Sequence, residues 1–505
     1  MSLNYNFIWL LCYLLVLVGL AGYGFHRLSI VYLYWKNRNN KPRPKARFQE
    51  LPAVTVQLPM FNEKFVVDRL LESVASLDYP QDKLEIQILD DSTDDTTEQC
   101  YRKVEELKSR GFDAVCIHRT DRTGFKAGAL EAATKVAKGE FLLILDADFV
   151  PEPDLLQKTI HFFTDENVGL VQTRWGHINR EYNLLTRIQG MYLDGHFAME
   201  QTARNRSGRF FTFNGTAGIW RKCVIGDAGG WSHDTLTEDM DLSYRVQLKG
   251  WRFIYLNDVV TPAELPVDMD GFKSQQHRWT KGSIQVCQKI LLDIWRSNAP
   301  LKAKVEATTH LTCNYSYLLL ALLCFLVYPI CTQRIPENET VFMWFVNVAL
   351  FFMTSVAVCI FYMSAQIVVR PKSWWKELPY LPLLLTLSVG MAVNNAKAVL
   401  EAIFGHQSAF VRTPKYGVDR KEDRRHVSQL KRNGYRAIKS VVIPVLEIAC
   451  GTFFLNLIII MIRQGHYLSP ILMIPFLGFY YTGFCSLGRM ISNLLPAKQT
   501  AKAKN

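Results

Sequence analysis

The first third of the chain alternates strand and helix segments at a regular spacing. Apolar, β-branched segments at 54–60, 84–91, 114–120 and 140–148 are separated by segments of helical character. Alternation at this spacing predicts βαβ units and a parallel sheet with both faces covered by helices. Ligands of such sheets bind beyond the carboxyl ends of the strands. The pattern therefore predicts an α/β, Rossmann-like domain with its site at that edge.

Acidic residues stand where two of the predicted strands end. Asp90 and Asp91 close the second strand, and Asp146 and Asp148 close the fourth. A D-x-D pair at the end of an apolar strand favours a divalent cation that holds a diphosphate, because hard cations take carboxylate and phosphate oxygens together. Phosphatases and response regulators also place Asp at strand ends, but they do not need the further motifs found here.

Two glycine-containing turns lie between the predicted elements. The segment 122–128 follows the third strand and places Lys126 near the start of a helix, which suits a phosphate group. A plain glycine turn is the alternative interpretation. The segment 211–218, FTFNGTAG, is flanked by aromatic residues and by itself indicates little.

The stretch 235–241, TLTEDMD, is predicted to begin a helix with acidic residues in its first turn. Thr235 or Thr237 is expected to cap the helix, and Thr235 with Glu238 has the capping-box spacing. Carboxylates at a helix N-terminus are favoured by the helix dipole and tend to stay ionised. An ionised carboxylate such as Asp239 can act as a general base. An ordinary capped helix is the alternative.

The stretch 275–279, QQHRW, is also predicted to be helical. Gln275, Arg278 and Trp279 are then spaced i, i+3 and i+4 and share one face. That face presents an amide, a fixed cation and a flat ring, which together suit a diphosphate beside a sugar ring. An exposed amphipathic helix is the alternative.

Other parts of the chain are too apolar for a soluble domain. Residues 7–25 are about long enough to cross a bilayer. A cleaved signal peptide would need a basic start, which MSLNYN lacks. Basic residues follow this span between positions 36 and 47, so the positive-inside rule places residue 36 onward in the cytoplasm. Four further spans are predicted, at 311–331, 341–369, 440–462 and 467–491.

The apolar segment 378–404 is predicted to lie on the cytoplasmic surface. If it crossed the membrane, residues 405–439 would lie outside with ten Lys and Arg against three Asp and Glu, contrary to the positive-inside rule. Its second half also carries Asn394, Asn395 and Glu401. With 7–25 and the four later segments, the expected topology is an integral membrane protein with five spans and a cytoplasmic α/β domain.

Charge and cysteine content argue against two other classes of protein. The net charge of +12 is concentrated beside apolar segments, which favours membrane anchoring over nucleic-acid binding, and no nucleic-acid partner is expected. Eleven scattered cysteines form no C-x-x-C pair, which disfavours a zinc site or a disulfide framework.

Seven short motifs occur in order: LPMFNE, ILDDS, KAGAL, LDAD, FNGTAGIWR, TEDMD and QQHRW. Together they resemble a processive, membrane-embedded family 2 glycosyltransferase of the cellulose synthase superfamily. The chain is most similar to the cellulose synthase-like A mannan and glucomannan synthases and their bacterial relatives. The resemblance covers nearly the whole chain and implies an α/β GT-A catalytic domain joined to an α-helical transmembrane domain. The expected divisions are an N-terminal transmembrane helix at 1–35, the GT-A domain at 36–300, and a transmembrane region at 301–505 with an interface helix at 378–404 and a gating loop at 405–439.

The resemblance also implies the roles of single residues. Asp239 is the expected general base, with Glu238 and Thr237 beside it. The residues expected to bind the nucleotide sugar are Asp90, Asp91, Lys126, Asp146, Gln275 and Arg278. The residues expected at the acceptor are Trp279, Asn214, Gly215 and Thr216. Asp146 and Asp148 are expected to bind Mg²⁺ or Mn²⁺.

These roles predict an inverting hexosyltransferase that extends a β-linked polysaccharide of mannan, glucomannan or β-glucan type and passes it across the membrane. Its expected partners are a nucleotide sugar (GDP-mannose, UDP-glucose or GDP-glucose), the polysaccharide acceptor and membrane lipids. The alternative is a single-transfer glycolipid glycosyltransferase similar to ceramide glucosyltransferase. A transporter is disfavoured, because polar residues within the predicted spans are few. A bacterial inner membrane and the Golgi membrane both fit.

Overall fold

One mixed sheet forms the centre of the α/β domain in the computed structural model. The structure describes residues 5–332, 352–407, 413, 415–418, 441–464 and 470–494. The strand order of the sheet is β3-β2-β1-β4-β6-β5-β7. The strands are β1 Val54–Met60, β2 Leu84–Asp90, β3 Asp113–His118, β4 Phe141–Ile144, β5 Val168–His177, β6 Gly218–Arg221 and β7 Arg252–Ala263.

The predicted parallel arrangement of the first four strands is confirmed. β1 pairs in parallel with both β2 and β4, and β2 pairs in parallel with β3. β6 is antiparallel to β4 and to β5, while β5 and β7 pair in parallel. β5 and β7 therefore run in the same direction as the first four strands, and their carboxyl ends lie at the same edge of the sheet. β4 ends at Ile144, before the predicted position 148.

Helices cover both faces of this sheet, as the buried apolar strands require. Two large clusters of buried apolar side chains lie on opposite faces, one including Val56 and Leu70 and the other including Leu130 and Trp220. The helices of this domain are α2 Val67–Ala75, α3 Thr96–Ser109, α4 Phe125–Val136, α5 Leu155–Thr159, α6 Leu184–Asp194, α7 Thr202–Arg206, α8 Lys222–Asp227, α9 Glu238–Leu248 and α10 Met269–Arg296. A π-helical turn, Gly195–Gln201, joins α6 to α7.

Apolar helices make up the two ends of the chain. They are α1 Tyr5–Asn37, α11 Leu301–Thr312, α12 Tyr315–Thr332, α13 Ala357–Val369, α14 Leu381–Gly390, α15 Ala392–Ile403, α16 Val442–Arg463 and α17 Pro470–Leu494. Within the described ranges, two helices are long and apolar enough to cross a membrane, Ile8–Asn37 and Val442–Arg463. The number rises to four if two bent pairs each count as one span, α11 with α12 (52°) and the segment ending in α14 with α15 (41°). The predicted segment 341–369 lies partly outside the described residues, and the five-span topology stays a prediction.

The segment 378–404 consists mainly of α14 and α15. α14 packs against α17, whereas α15 packs against α10 and α12. Asn395 is fully buried, and Glu401 pairs with Lys281 of α10 at 3.1 Å. The polar residues that favoured a position on the cytoplasmic surface, Asn395 and Glu401 among them, are therefore packed against other helices, including α10. The position of this segment on the cytoplasmic surface stays a prediction.

The helix α10 also connects the α/β domain to the C-terminal apolar helices. Lys273 Nζ lies 2.5 Å from a carboxylate oxygen of Glu447 in α16 and 2.9 Å from Ser486 Oγ in α17. Both charged side chains are almost completely buried. Because removal of one partner would leave a buried charge unpaired, this ion pair constrains how α10 sits on the apolar helices.

Candidate active site

A cavity opens at the carboxyl edge of the sheet, where the strand pattern predicted a site. The predicted site residues that it brings together run from Asp91 to Trp279, which are 188 positions apart in the sequence. Twelve of the predicted site residues line it: Asp91, Lys126, Asp146, Asp148, Asn214, Gly215, Thr237, Glu238, Asp239, Gln275, Arg278 and Trp279.

Two predicted site residues lie behind the cavity wall instead. Asp90 is fully buried, where its carboxylate accepts a hydrogen bond from Thr97 Oγ1 at 2.7 Å and contacts His118 Nδ1 at 2.7 Å. Thr216 is also fully buried, and its hydroxyl accepts a hydrogen bond from the backbone N–H of Asp146 at 2.8 Å. In this structure both residues shape the backbone that carries the cavity residues.

Lys126 and Asp146 form an ion pair at the centre of the cavity. Lys126 Nζ donates to Asp146 Oδ1 at 2.5 Å and to the carbonyl oxygen of Gly215 at 2.8 Å. Burial by itself lowers the pKa of Lys126, but the nearby carboxylates of Asp146 and Glu238 outweigh it and raise the pKa above its ordinary value. The lysine is therefore a permanent cation and suits the phosphate role predicted from its turn.

The glycine of the FNGT turn lies between the two charged groups. Gly215 has a φ of +80°, which favours glycine. A Cβ at this position would lie 3.1 Å from Asp239 Oδ2 and 3.5 Å from Lys126 Nζ. The turn thus passes close to the predicted base, and a side chain at this position would crowd Asp239.

Asp148 is paired with Lys415, from the segment 410–415 that resembles a gating loop. Lys415 Nζ donates to Asp148 Oδ2 at 2.6 Å and to the Glu264 carbonyl oxygen at 2.9 Å. The Glu264 carboxylate accepts hydrogen bonds from three successive backbone N–H groups at 416–418, at 3.0, 3.0 and 3.2 Å. Lys415 therefore lines the cavity, and the backbone of 416–418 is held beside it by Glu264. Most of 405–439 lies outside the described residues, and the gating role stays a prediction.

The donor set at Asp146 and Asp148 fits a divalent cation that is bound together with a substrate. The described residues contain no group of three or more His, Cys, Asp or Glu side chains that could hold a metal ion. Two carboxylates two positions apart can supply part of an octahedral shell, and diphosphate and water oxygens can supply the rest.

Asp239 lies in the first turn of α9, as predicted, but the predicted capping box is wrong. Thr237 occupies the N-cap position without a side-chain capping hydrogen bond. The buried hydroxyls of Thr235 and Thr237 have no hydrogen-bond partner within the described part of the chain. The preceding turn is held instead by Gln285 of α10, whose Oε1 accepts from the Leu236 N–H at 3.0 Å. Contacts with α10 replace the local cap, because this turn is buried beneath that helix.

Asp239 has the electrostatics of a base that works near neutral pH. Burial, and secondly the neighbouring carboxylate of Glu238, raises the pKa of Asp239 to about 7. A hydrogen bond from the Met240 N–H at 2.8 Å and the charges of Lys126 and Arg278 oppose the rise. A general base is most effective when its pKa lies near the working pH.

Gln275, Arg278 and Trp279 were predicted to share one face of a helix. All three lie in α10 and line the cavity, so the prediction is confirmed. Burial lowers the pKa of the Arg278 guanidinium, while Glu238, Asp146 and Asp239 counteract this effect. One turn further along, a Cβ at Gly282 would lie 2.5 Å from Thr237 Cγ2. This close approach allows α10 to press against the turn that carries Glu238 and Asp239.

Several cavity residues escaped the sequence analysis, notably Trp175, His177 and Glu264. They come from the carboxyl ends of β5 and β7, at the same edge as the predicted residues. The strand-end rule would have found Glu264, which directly follows β7. The sequence analysis did not extend the strand pattern beyond β4.

Comparisons with known proteins agree with this geometry. Residues 52–282 match the family described as "Glycosyltransferase like family 2". The chain is 41% identical over 286 residues to glucomannan 4-beta-mannosyltransferase 2 of Arabidopsis thaliana, over 54% of this chain and 53% of that protein. It is 40% identical over 277 residues to glucomannan 4-beta-mannosyltransferase 1 of Oryza sativa subsp. japonica, with the same coverage. The chain thus spans about half the length of the curated relatives it matches.

A solved structure shares the fold of this chain. The mannosyltransferase PcManGT from Pyrobaculum calidifontis, solved in complex with GDP-Man and Mn²⁺, has a TM-score of 0.55 and 20% sequence identity. The match covers 78% of this chain and 100% of that one. The predicted α/β GT-A architecture is therefore confirmed. Residues 52–282 of this chain match glycosyltransferase-like family 2, in agreement with the motif resemblance.

Proposed function

We propose that this chain is an inverting hexosyltransferase that uses a nucleotide sugar to extend a β-linked polysaccharide. The observation that carries the proposal is that Asp239, Lys126, Asp146, Arg278 and Trp279 line the same cavity. A base, cations for a diphosphate and a flat ring for a sugar are the groups that such a transfer requires. The glucomannan mannosyltransferases of two plants support mannose as the transferred sugar and GDP-mannose as the donor to test first.

The proposed chemistry is one displacement at the anomeric carbon of the donor. Asp239 accepts the proton of an acceptor hydroxyl, and that oxygen attacks the anomeric carbon from the face opposite the diphosphate. The bond to the diphosphate breaks, and the electron pair leaves with the diphosphate oxygen. Lys126 and Arg278 stabilise the negative charge that develops there, since fixed cations are most effective in a buried site.

Asp146 and Asp148 are the residues that we propose hold a divalent cation. When bound, Mg²⁺ or Mn²⁺ would neutralise charge on the leaving diphosphate. Lys126 Nζ lies 2.5 Å from one oxygen of Asp146, and Lys415 Nζ lies 2.6 Å from one oxygen of Asp148. A metal cation must therefore compete with both lysines for these carboxylates. We therefore expect weak binding of metal alone and tighter binding with donor present. Full activity in excess EDTA would contradict this role.

We further propose that the product is a polymer that passes between the apolar helices. A second cavity, of about 20 Å³, lies beside α10 and is lined by Tyr192, Phe272, Gln276 and Tyr317 together with aliphatic side chains of α14. Such aromatic and amide side chains suit the faces and hydroxyls of a sugar ring. The helices around this cavity would have to separate before a sugar ring could pass. An interior route would also let a polar chain cross hydrocarbon, which it could not do in contact with lipid.

The test is the size and composition of the product made by purified enzyme. Labelled GDP-mannose, UDP-glucose and GDP-glucose are supplied separately, and the products are sized by gel filtration before and after β-mannanase or β-glucanase. We expect a long, β-mannanase-sensitive product from GDP-mannose. A label that runs only as a monoglycosylated lipid would support the glycolipid alternative.

A Trp279→Ala variant tests the acceptor side of the cavity in the same assay. Trp279 lies beside Arg278 on the cavity face of α10, so we expect its loss to abolish polymer while Asp146, Asp148 and Arg278 still bind the donor. Titration with the unlabelled donor measures that binding. A wild-type polymer length from this variant would contradict acceptor stacking on Trp279.

A further inference from the structure

His196 contacts the FNGT turn, residues 213–216, from within the π-helical turn Gly195–Gln201. Its Nε2 lies 2.9 Å from the Asn214 side-chain nitrogen, and its Nδ1 lies 3.1 Å from Glu200 Oε2. π-helical turns are rare and occur frequently at functional sites. This turn points an imidazole at the one asparagine of the FNGT motif.

The surroundings of Glu200 determine which imidazole nitrogen carries the proton. Glu200 is buried and pairs with Arg27 of α1 and with Arg204, at 3.3 Å from the latter. A carboxylate between two guanidinium groups stays ionised and can only accept hydrogen bonds. His196 must therefore donate from Nδ1.

The other nitrogen of His196 is then an acceptor. Burial, followed by the charges of Arg204 and Arg27, holds the pKa of His196 well below its ordinary value, so the ring is neutral. In a neutral imidazole protonated on Nδ1, Nε2 accepts. The hydrogen bond thus runs from the Asn214 amide N–H to His196 Nε2.

The second end of the Asn214 amide is also held. Its Oδ1 accepts from Gln201 Nε2 at 2.6 Å. Because one end can only donate and the other only accept, the amide has a single orientation. Asn214 lines the cavity next to Gly215, which approaches Asp239, so its orientation matters where an acceptor hydroxyl must lie.

We propose that His196 is a positioning residue for transfer, which orients the Asn214 amide so that it can bind a hydroxyl of the acceptor sugar. This inference rests on the proposed function, because it presumes a sugar acceptor beside Asp239. His196 itself does not touch the reacting atoms. Its contribution is to hold Asn214 in one orientation before the acceptor arrives, which lowers the cost of binding.

The substitutions His196→Gln and His196→Asn have similar polarity, and their comparison separates this role from a general structural one. In His196→Gln, the side-chain oxygen can occupy the place of Nε2 and accept from Asn214. In His196→Asn, the shorter amide can still reach Glu200 but not Asn214. His196→Phe keeps the ring and removes both hydrogen bonds.

The experiment measures elongation of a β-1,4-mannotetraose primer with labelled GDP-mannose, together with the Kd of GDP-mannose. We expect the Asn and Phe variants to raise the primer KM about tenfold, the order expected for losing a positioned hydrogen bond, with the donor Kd unchanged. We expect the Gln variant to stay within about threefold of wild type.

Two outcomes separate failure of this inference from failure of the proposed function. Equal primer KM values for the Asn and Gln variants, in an enzyme whose wild type elongates, would overturn the role of His196 alone. If the wild type does not elongate with GDP-mannose, UDP-glucose or GDP-glucose, both the proposed function and this inference are overturned. If His196→Phe fails to fold, the Gln and Asn pair still decides the question.

Discussion

Asp239 combines a high pKa with a position beside the cations of the cavity. Its pKa of about 7 has two causes, burial and the like charge of Glu238. Lys126 and Arg278 oppose them, so the carboxylate is poised to change its protonation state near neutral pH. Removal of the Asp239 carboxylate should therefore lower the rate of transfer, whereas removal of the Glu238 charge should change its pH dependence.

We expect Asp239→Asn to reduce transfer about 10²–10⁴-fold, the range for loss of a general base. The amide keeps the size of the side chain but cannot accept the proton. Donor affinity should change little, because Asp146 and Arg278 are retained. Steady-state kinetics with donor titration provides the measurement, and near-normal turnover would remove Asp239 from this role.

The pH profile should show the raised pKa directly. A base must be deprotonated, so kcat/KM is full above the pKa of Asp239 and falls as the pH decreases through about 7. In Glu238→Gln the like charge beside Asp239 is removed, so the pKa of Asp239 falls and the acid limb should move to lower pH. Burial still keeps the pKa of Asp239 above the ordinary value for Asp. An acid limb at the same pH in both enzymes would assign it to another group.

At the scale of elements, α10 organises the cavity. One face carries Gln275, Arg278 and Trp279, and the next turn presses Gly282 against the start of α9. The geometry of the base relative to Arg278 therefore depends on how closely two helices approach. Small changes in such a distance have large effects on rate, because the reacting groups must be aligned.

We expect Gly282→Ala to lower kcat about tenfold and to destabilise the fold by about 1–3 kcal/mol. The added Cβ would lie within 3.0 Å of three side-chain atoms of Thr237, which must move and take the start of α9 with it. Gly226→Ala is the matched control, since a Cβ there meets nothing within 4 Å. Thermal unfolding and initial rates are measured for both, and equal behaviour would contradict this account.

At the scale of the whole molecule, the catalytic domain and the apolar helices are joined by buried charges. Lys273 in α10 pairs with Glu447 in α16, and Glu200, near the FNGT turn, pairs with Arg27 in α1. Loss of one partner from such a pair typically costs about 3–5 kcal/mol. The orientation of the cavity toward the apolar helices is therefore set by specific contacts.

The topology can be tested with single cysteines in intact cells. The exposed native cysteines Cys12, Cys223 and Cys485 are first replaced by Ser. A cysteine at His406, three residues after the end of α15, should be protected from an impermeant thiol reagent, because the basic stretch 405–439 is expected inside. A cysteine at Glu337, in a segment expected outside and beyond the described residues, should be labelled. Labelling at position 406 would mean that 378–404 crosses the membrane.

Local patterns were sufficient to predict the fold class and the edge of the sheet at which the cavity lies. β-Branched apolar segments can form buried strands, and Asp146 and Asp148 must then emerge at the carboxyl edge, because parallel strands end together. The helical spacing of Gln275, Arg278 and Trp279 likewise determines their shared face. These properties depend on neighbours within a few residues, which is why the sequence alone reveals them.

Other features depend on residues that meet only after folding. The missing cap at Thr237 follows from its burial beneath α10, and the burial of Asp90 follows from its contacts with Thr97 and His118. The pairing of Lys415 with Asp148 joins positions 267 residues apart. The tautomer of His196 depends on a carboxylate held by an arginine from α1. Such features arise from burial and long-range charge, which the tertiary structure decides and no local pattern encodes.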